Sequence, residues 1–117
     1  MENLTLWYNP ACSKCRQTLS LLEDKGITPV LREYLNDPPS REELIAASRL
    51  VGLRALVRGN HEALEKLQRP VDEIDESVLL ELLVDHPAAI QRPVAFLGGR
   101  ACIARPPENV LELLETP

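Results

Sequence analysis

A Cys-x-x-Cys pair, Cys12 and Cys15, lies at a change of pattern in the chain. The stretch before it, residues 4–8, alternates apolar and other side chains as a strand does, and the stretch after it is amphipathic with helical spacing. The order strand, loop, helix predicts Cys12 at the amino end of a helix, where free backbone N–H groups and the helix dipole favour an anion. The same field lowers the pKa of a thiol, and the thiolate is the reactive form. The segment therefore predicts a nucleophile and an anion cradle together.

The layout of the whole chain predicts one α/β domain. The chain has 117 residues and is 44% hydrophobic, which suits a single domain with a real core. Strands are predicted at residues 4–8, 29–34, 93–97 and 100–104. The order is β-α-β, a helical middle, then β-β-α, which predicts a four-stranded mixed sheet with flanking helices. With Cys-x-x-Cys after the first strand this is the thioredoxin-like arrangement. The domain spans residues 1–117, and the helical middle, about residues 40–85, is an insertion.

Stop and cap signals bound the predicted helices. The first helix ends at Gly26, which suits the left-handed position that closes a helix. Ser40 and Glu43 fit a capping box at the start of the insertion. Further helical segments are predicted at residues 53–57, 61–67 and 76–85, with a loop at 70–75. The chain then turns back at Gly98-Gly99, and a last helix runs from Pro106-Pro107 through residue 114.

Charge and cysteine content exclude several classes of protein. The net charge is −5 and the isoelectric point is about 5.0, which does not suggest a nucleic-acid-binding surface. Three cysteines, an odd number, and the absence of an apolar leader argue against a secreted disulfide framework. No apolar run approaches the roughly 20 residues that span a bilayer. We therefore expect a cytoplasmic protein that associates with no membrane and binds no metal, because a second pair of zinc ligands is missing.

The three cysteines call for different interpretations. Cys12 is predicted to be the nucleophile, since a proline-containing loop at a helix start is poorly placed for burial. Cys15 lies one helical turn further on, and it either resolves an oxidised Cys12 as a disulfide or packs beneath the helix without reacting. Cys102 lies on an alternating strand, which favours a core position. Lys14 and Arg16 lie on either side of Cys15, and they either depress the pKa of Cys12 or line a solvated helix face.

Three arginines, Arg58, Arg92 and Arg105, are candidates for binding an anion. Arg92 and Arg105 each precede a proline, which holds their backbone extended and gives the side chain a fixed direction. Each arginine alone fits an exposed surface position, whereas together near Cys12 they would bind a tetrahedral oxyanion through several guanidinium groups. Pro93 has the place of the cis proline that faces the reactive cysteine in thioredoxin-like folds, so a cis bond is predicted there.

Six segments in chain order resemble the glutaredoxin-linked arsenate reductases, within the arsenate reductase and Spx-type superfamily. They are YNPACSKCR (8–16), YLNDPP (34–39), RALVR (54–58), HP (86–87), RPV (92–94) and RPPE (105–108). The resemblance covers nearly the whole chain, and the combination is specific although each segment alone is weak.

The resemblance implies a reaction and its residues. Cys12 would attack arsenate, while Arg58, Arg92, Arg105 and Asn9 would hold the oxyanion and its thiol adduct. Glutathione would then attack the adduct, and glutaredoxin would resolve the glutathionylated enzyme before arsenite leaves. The resemblance thus implies an oxidoreductase that takes part in arsenic detoxification and has no bound cofactor. We expect it to be a monomer.

Two departures from the family pattern keep other functions open. Tyr8 stands where the best-known members have a histidine, and it carries no positive charge. Cys15, which those members lack, is placed to replace glutathione as the resolving thiol, which would make thioredoxin the reductant. The pair is usual in Spx-type regulators, which bind RNA polymerase as redox sensors, although the RPPE segment fits the reductases. A general thiol–disulfide oxidoreductase, or a reductase of another oxyanion, is the third alternative.

Overall fold

Four short strands make one mixed sheet with the order β2-β1-β3-β4. The computed structural model describes residues 3–115. β1 pairs in parallel with β2 and antiparallel with β3, and β3 pairs antiparallel with β4. The strands are β1 (Thr5–Tyr8), β2 (Val30–Glu33), β3 (Val94–Leu97) and β4 (Arg100–Ile103). With helices flanking it, this sheet is the thioredoxin-like arrangement that the sequence predicts.

Two compact units divide the chain. The first, called the sheet unit, contains the sheet and is made of the residues up to Asp37 and from Arg92 onward. The second, called the helical unit, is Pro38–Gln91. The predicted insertion, about residues 40–85, falls inside the second unit. That the two units together form one domain over residues 1–117 stays a prediction.

Helix α1 (Ser13–Asp24) connects β1 to β2. Cys12 is its N-cap residue and has extended backbone angles. The helix ends as predicted, because Gly26 takes a φ of +77° and lets the Ile27 amide donate to the Leu22 carbonyl at 2.9 Å. A residue with a Cβ would be strained at that angle.

One face of the sheet carries the core of the first unit. Alternate side chains at the start of the chain point to this face: Leu4 just before β1, then Leu6 and Tyr8 within it. They pack with residues of α1 and of the C-terminal segment, residues 98–115. The buried members of this cluster are Leu4, Leu6, Tyr8, Cys12, Cys15, Leu22, Ala95, Ala104, Val110 and Leu113. On the other face Trp7 contacts Phe96, with ring centroids 4.8 Å apart. Two of the three cysteines are thus core residues of the sheet unit.

The C-terminal segment follows the predicted hairpin. Leu97 pairs with Arg100, so Gly98 and Gly99 form a two-residue turn, with φ of +62° at Gly98. The predicted last helix begins as a 3-10 turn, Pro107–Val110, before α5 (Leu111–Glu115). Tight turns of this kind are frequent at helix starts.

The second unit is helical. Its helices are α2 (Arg41–Val51), α3 (Glu62–Glu65) and α4 (Glu76–Asp85), with 3-10 turns at Arg54–Leu56, Val71–Glu73 and Pro87–Ala89. The predicted loop at 70–75 therefore contains a helical turn. The predicted capping box is present, since Ser40 Oγ accepts from the Glu43 amide at 3.1 Å and Glu43 accepts from the Ser40 amide at 2.9 Å. Arg41 and Glu81 form an ion pair between α2 and α4. Among residues 3–115, no helix has both the length and the apolar character needed to cross a membrane.

Candidate active site

The loop between β1 and α1 is shaped by its own hydrogen bonds. Asn9 accepts twice: its Oδ1 from the Ala11 amide at 2.9 Å, and its carbonyl oxygen from the Cys12 amide at 2.9 Å. Asparagine is common in such turns because its side chain accepts a hydrogen bond from the backbone amide two residues further on. The loop thereby delivers Cys12 to the N-cap of α1. The Asn9 side-chain oxygen is engaged in the loop, and a role for this residue in substrate binding stays a prediction.

Arg16 closes the same loop from the first turn of the helix. Its Nη1 donates to the Pro10 carbonyl at 2.8 Å, and its amide donates to the Cys12 carbonyl at 3.1 Å. The two contacts join the strand side of the loop to the helix, with Cys12 between them. The exposed Arg16 side chain therefore braces the cysteine loop, a role that neither sequence alternative for this residue included.

Cys12 is more buried than the sequence predicts. Only 8% of its surface is exposed, and the residue belongs to the core cluster of the sheet unit together with Tyr8 and Cys15. The expectation that a proline-containing loop keeps this residue out of the core is therefore wrong. The sulfur lies at the margin of the core rather than on open surface.

The pKa of the Cys12 thiol is lowered from its ordinary value, although burial alone raises it. The opposing causes are the backbone amide and thiol of Cys15, then the backbone amide of Lys14 and the charge of Arg92. Amides two and three residues past the N-cap are the donors that a helix start leaves unpaired. The helix terminus thus favours the thiolate, as the sequence predicts.

Cys15 has the opposite character. It is fully buried, and the pKa of its thiol is raised to about 12, chiefly by burial and also by the neighbouring Cys12, against a lowering by the Asn9 backbone. Both cysteines are free thiols. The pair therefore combines a thiolate-prone sulfur with a protonated one that donates toward it. Whether Cys15 reacts stays a prediction.

Arg92 and Arg105 come together in the sheet unit. Each is joined to the following proline by a cis peptide bond; the one before Pro93 is predicted from the sequence. Arg105 Nη1 donates to the Arg92 carbonyl at 3.1 Å, and the Ala104 amide donates to the Pro93 carbonyl at 3.0 Å. The two arginine segments are thus linked directly, and the charge of Arg92 acts on Cys12.

Arg58 belongs to the other compact unit. Its amide donates to the Ala89 carbonyl at 2.8 Å, and its Nη1 donates to the Ala88 carbonyl at 3.3 Å. An isolated bridge between Val57 and Ile90 supports the same segment. Its place in an oxyanion site with Arg92 and Arg105 stays a prediction.

Cys102, the third cysteine, lies on β4 of the sheet unit. Cys102 is half-buried and packs against the core, and burial, with a smaller effect of Glu112, raises the pKa of its thiol to about 11.

Asn109 is a further residue of this region that the sequence pattern does not single out. Its side chain donates from Nδ2 to the Arg105 carbonyl at 3.1 Å. No local signal in the sequence marks this residue, because only the folded turn brings its side-chain amide to the Arg105 carbonyl. Within the described part of the chain, no cluster of three or more metal-ligating side chains occurs.

Comparison with known proteins agrees with this geometry. The sequence profile of the ArsC family matches residues 7–113. An arsenate reductase of Escherichia coli is 39% identical over 119 residues, covering 98% of this chain and 83% of that protein. An arsenate reductase of Neisseria meningitidis is 35% identical over 117 residues, covering 97% of this chain and all of that protein.

A solved structure is similar over nearly the same length. The arsenate reductase from Vibrio cholerae superposes with a TM-score of 0.87 at 37% identity, covering 95% of this chain and 97% of the other. The cysteine loop and both arginine-proline segments lie within the matched residues. The chain therefore belongs to the ArsC family.

Proposed function

We propose that this protein is a thiol-dependent arsenate reductase in which the Cys12 thiolate is the nucleophile. One observation carries the proposal: a cysteine with a lowered pKa stands at the start of α1, within the influence of Arg92. Relatives that share more than a third of this sequence over almost its full length are named arsenate reductases, which supports arsenate as the substrate.

In the first step the Cys12 sulfur attacks the arsenic atom of arsenate. A sulfur–arsenic bond forms, the bond from arsenic to a hydroxyl group of arsenate breaks, and that hydroxyl leaves as water after taking up one proton. Both reactants are anions, so they repel each other. Fixed positive groups offset this repulsion best when they are oriented before the reaction begins.

Arg92 and Arg105 supply such groups in the proposed site. The bond from Arg105 to the Arg92 carbonyl holds the two segments together, and planar guanidinium groups suit the oxygens of a tetrahedral anion. Arg58 is the third arginine of the proposed set, and Asn9 shapes the loop that would receive the anion.

In the second step a thiol attacks the Cys12 sulfur. A disulfide forms, the sulfur–arsenic bond breaks, and its electron pair stays on arsenic, which is reduced from the +5 to the +3 state and leaves as arsenite. Cys15 is the near candidate because its sulfur neighbours that of Cys12. If Cys15 attacks, thioredoxin would reduce the internal disulfide. If glutathione attacks, glutaredoxin would reduce the mixed disulfide.

Arsenate-dependent turnover of the reduced protein tests the proposal. It is measured once with glutathione and glutaredoxin and once with thioredoxin, on the wild type and on Cys12→Ser, Cys15→Ser and Cys102→Ser. We expect Cys12→Ser to abolish turnover and Cys102→Ser to preserve it. Loss in Cys15→Ser with thioredoxin as reductant would assign the resolving role to Cys15. Absence of turnover with both couples in the wild type would overturn the proposed function.

A further inference from the structure

The backbone that carries Arg105 turns sharply just after β4. Ile103 ends the strand, and the Arg105 amide donates to the Ile103 carbonyl at 3.0 Å, only two residues back. Pro106 and Pro107 follow, and neither has an N–H group. The Ile103 carbonyl thus has a donor within the turn, whereas the two residues after Arg105 offer its carbonyl no N–H group.

The side chain of Asn109 supplies the Arg105 carbonyl with a donor. Its Nδ2 lies 3.1 Å from the Arg105 carbonyl oxygen and 3.5 Å from that of Ile103. A primary amide has two N–H groups, so one side chain can serve both acceptors. Asn109 thus joins the two carbonyls that flank the turn.

Asn109 is itself held in place. Its backbone amide donates to the Pro106 carbonyl at 3.0 Å, and its carbonyl accepts from the Cys102 thiol, with the sulfur at 3.6 Å. The residue is half-buried in the 3-10 turn Pro107–Val110. Its backbone is therefore held from both the turn and β4, which fixes the point from which the side chain extends.

The contacts of Asn109 bear on the side chain of Arg105, which ends in a guanidinium group. Fixing the Arg105 carbonyl fixes the peptide plane after its Cα, and with it the direction in which the side chain leaves the backbone. That side chain reaches the Arg92 carbonyl at 3.1 Å. We propose that Asn109 is a positioning residue that holds Arg105 in the geometry required for oxyanion binding.

The inference rests on the proposed function, because it assigns Arg105 to the oxyanion. Asn109 is not placed to touch the substrate in this scheme and acts only through Arg105. Its loss should weaken arsenate binding while leaving the Cys12 thiolate, which depends on α1 and Arg92, unchanged. A residue that served stability alone would show no such selectivity.

Two variants and one matched control test the proposal. Asn109→Leu keeps the branched shape without donors, and Asn109→Ala removes the side chain. Asn36→Ala is the control, since Asn36 Nδ2 also donates within the sheet unit, to Glu33 at 3.5 Å on the surface. The readouts are KM and kcat for arsenate, the pH midpoint of Cys12 alkylation, and the NMR order parameter of the Arg105 Nε–H group.

We expect both Asn109 variants to raise KM about fivefold, the effect of one lost hydrogen bond, with smaller changes in kcat and an unchanged alkylation midpoint. The Arg105 order parameter should fall toward the mobile range below about 0.6, and Asn36→Ala should change none of these. An unchanged order parameter in both Asn109 variants would overturn the positioning role, and a fall without any rise in KM would overturn its importance for binding. If the wild type does not reduce arsenate, the proposed function fails, and the order parameters alone decide whether Asn109 holds Arg105.

Discussion

The Arg105 guanidinium donates a hydrogen bond from Nη1 to the carbonyl oxygen of Arg92 at 3.1 Å. Each of the two arginines precedes a proline and is joined to it by a cis peptide bond, and they are 13 residues apart in sequence. The contact means that the backbone of one arginine is fixed by the side chain of the other. Loss of the Arg105 side chain would therefore remove a donor from the Arg92 backbone.

Replacing Arg92 should affect both the nucleophile and the anion. In Arg92→Ala we expect the pKa of Cys12 to rise, because a positive charge that favours the thiolate is lost. Arsenate or sulfate should also protect Cys12 less well from alkylation, by about tenfold for the loss of a charged hydrogen-bond partner. The measurement is the alkylation rate as a function of pH and of anion concentration.

Arg69→Ala is the matched control for this experiment. Arg69 is exposed in the helical unit, and its removal changes the net charge by the same amount. Equal effects of the two variants would mean that overall charge, and not a local contact, governs the cysteine. Unchanged protection in Arg92→Ala would remove Arg92 from the oxyanion site.

The reactivity of Cys12 should depend on Cys15. In the wild type the alkylation rate of Cys12 should reach half its maximum at a pH below the value of about 8.5 for an unperturbed thiol. In Cys15→Ala the midpoint should rise, since the thiol that donates toward Cys12 is gone, while the backbone amide at position 15 remains. Mass spectrometry of the labelled peptide gives the rate at Cys12 itself. A wild-type midpoint at or above that of free cysteine would contradict the effect of the helix terminus.

The sequence predicts most of this fold because its signals are local. A glycine at the end of α1, a Ser-x-x-Glu box before α2 and a Gly-Gly pair between β3 and β4 each determine the backbone within a few residues. The position of Cys12 at the start of α1 follows from the same kind of signal. Its burial does not, because burial depends on what Tyr8 and the C-terminal segment place around the sulfur.

The contacts among distant residues were not predictable from the pattern. The pairing of Arg105 with Arg92 requires the turn after β4 to meet the start of β3, and the role of Asn109 depends on carbonyls that only the folded turn brings together. Val30 and Leu31 show a similar limit: they are apolar strand residues, yet they are 51% and 42% exposed because β2 lies at the edge of the sheet.

The stability of the protein should fall in alkaline solution partly because of Cys102. Its pKa is raised to about 11 in the folded protein, well above that of an unperturbed thiol, which the unfolded chain has. Between these values the unfolded chain has lost the thiol proton and the folded protein keeps it. The unfolded state therefore binds fewer protons, and the free energy of unfolding decreases as pH rises.

Urea unfolding of the wild type and of Cys102→Ala at about pH 7 and about pH 10.5 isolates this contribution, because other groups titrate equally in both proteins. We expect the wild type to lose more stability than the variant between the two pH values. An equal loss would show that the Cys102 thiol titrates alike in the folded and unfolded states.

The capping box at the start of α2 should contribute measurably to stability. Ser40 Oγ accepts from the Glu43 amide, and the Glu43 carboxylate accepts from the Ser40 amide, so two otherwise unpaired donors are satisfied. Ser40→Ala removes the first of these bonds, and we expect it to lower the free energy of unfolding by about 1 kcal/mol. The matched control is Ser20→Ala, an exposed position inside α1 where alanine is the better helix former. Urea unfolding followed by circular dichroism measures both variants, and a loss in Ser40→Ala no larger than that in Ser20→Ala would show that the box adds nothing to the stability of the helical unit.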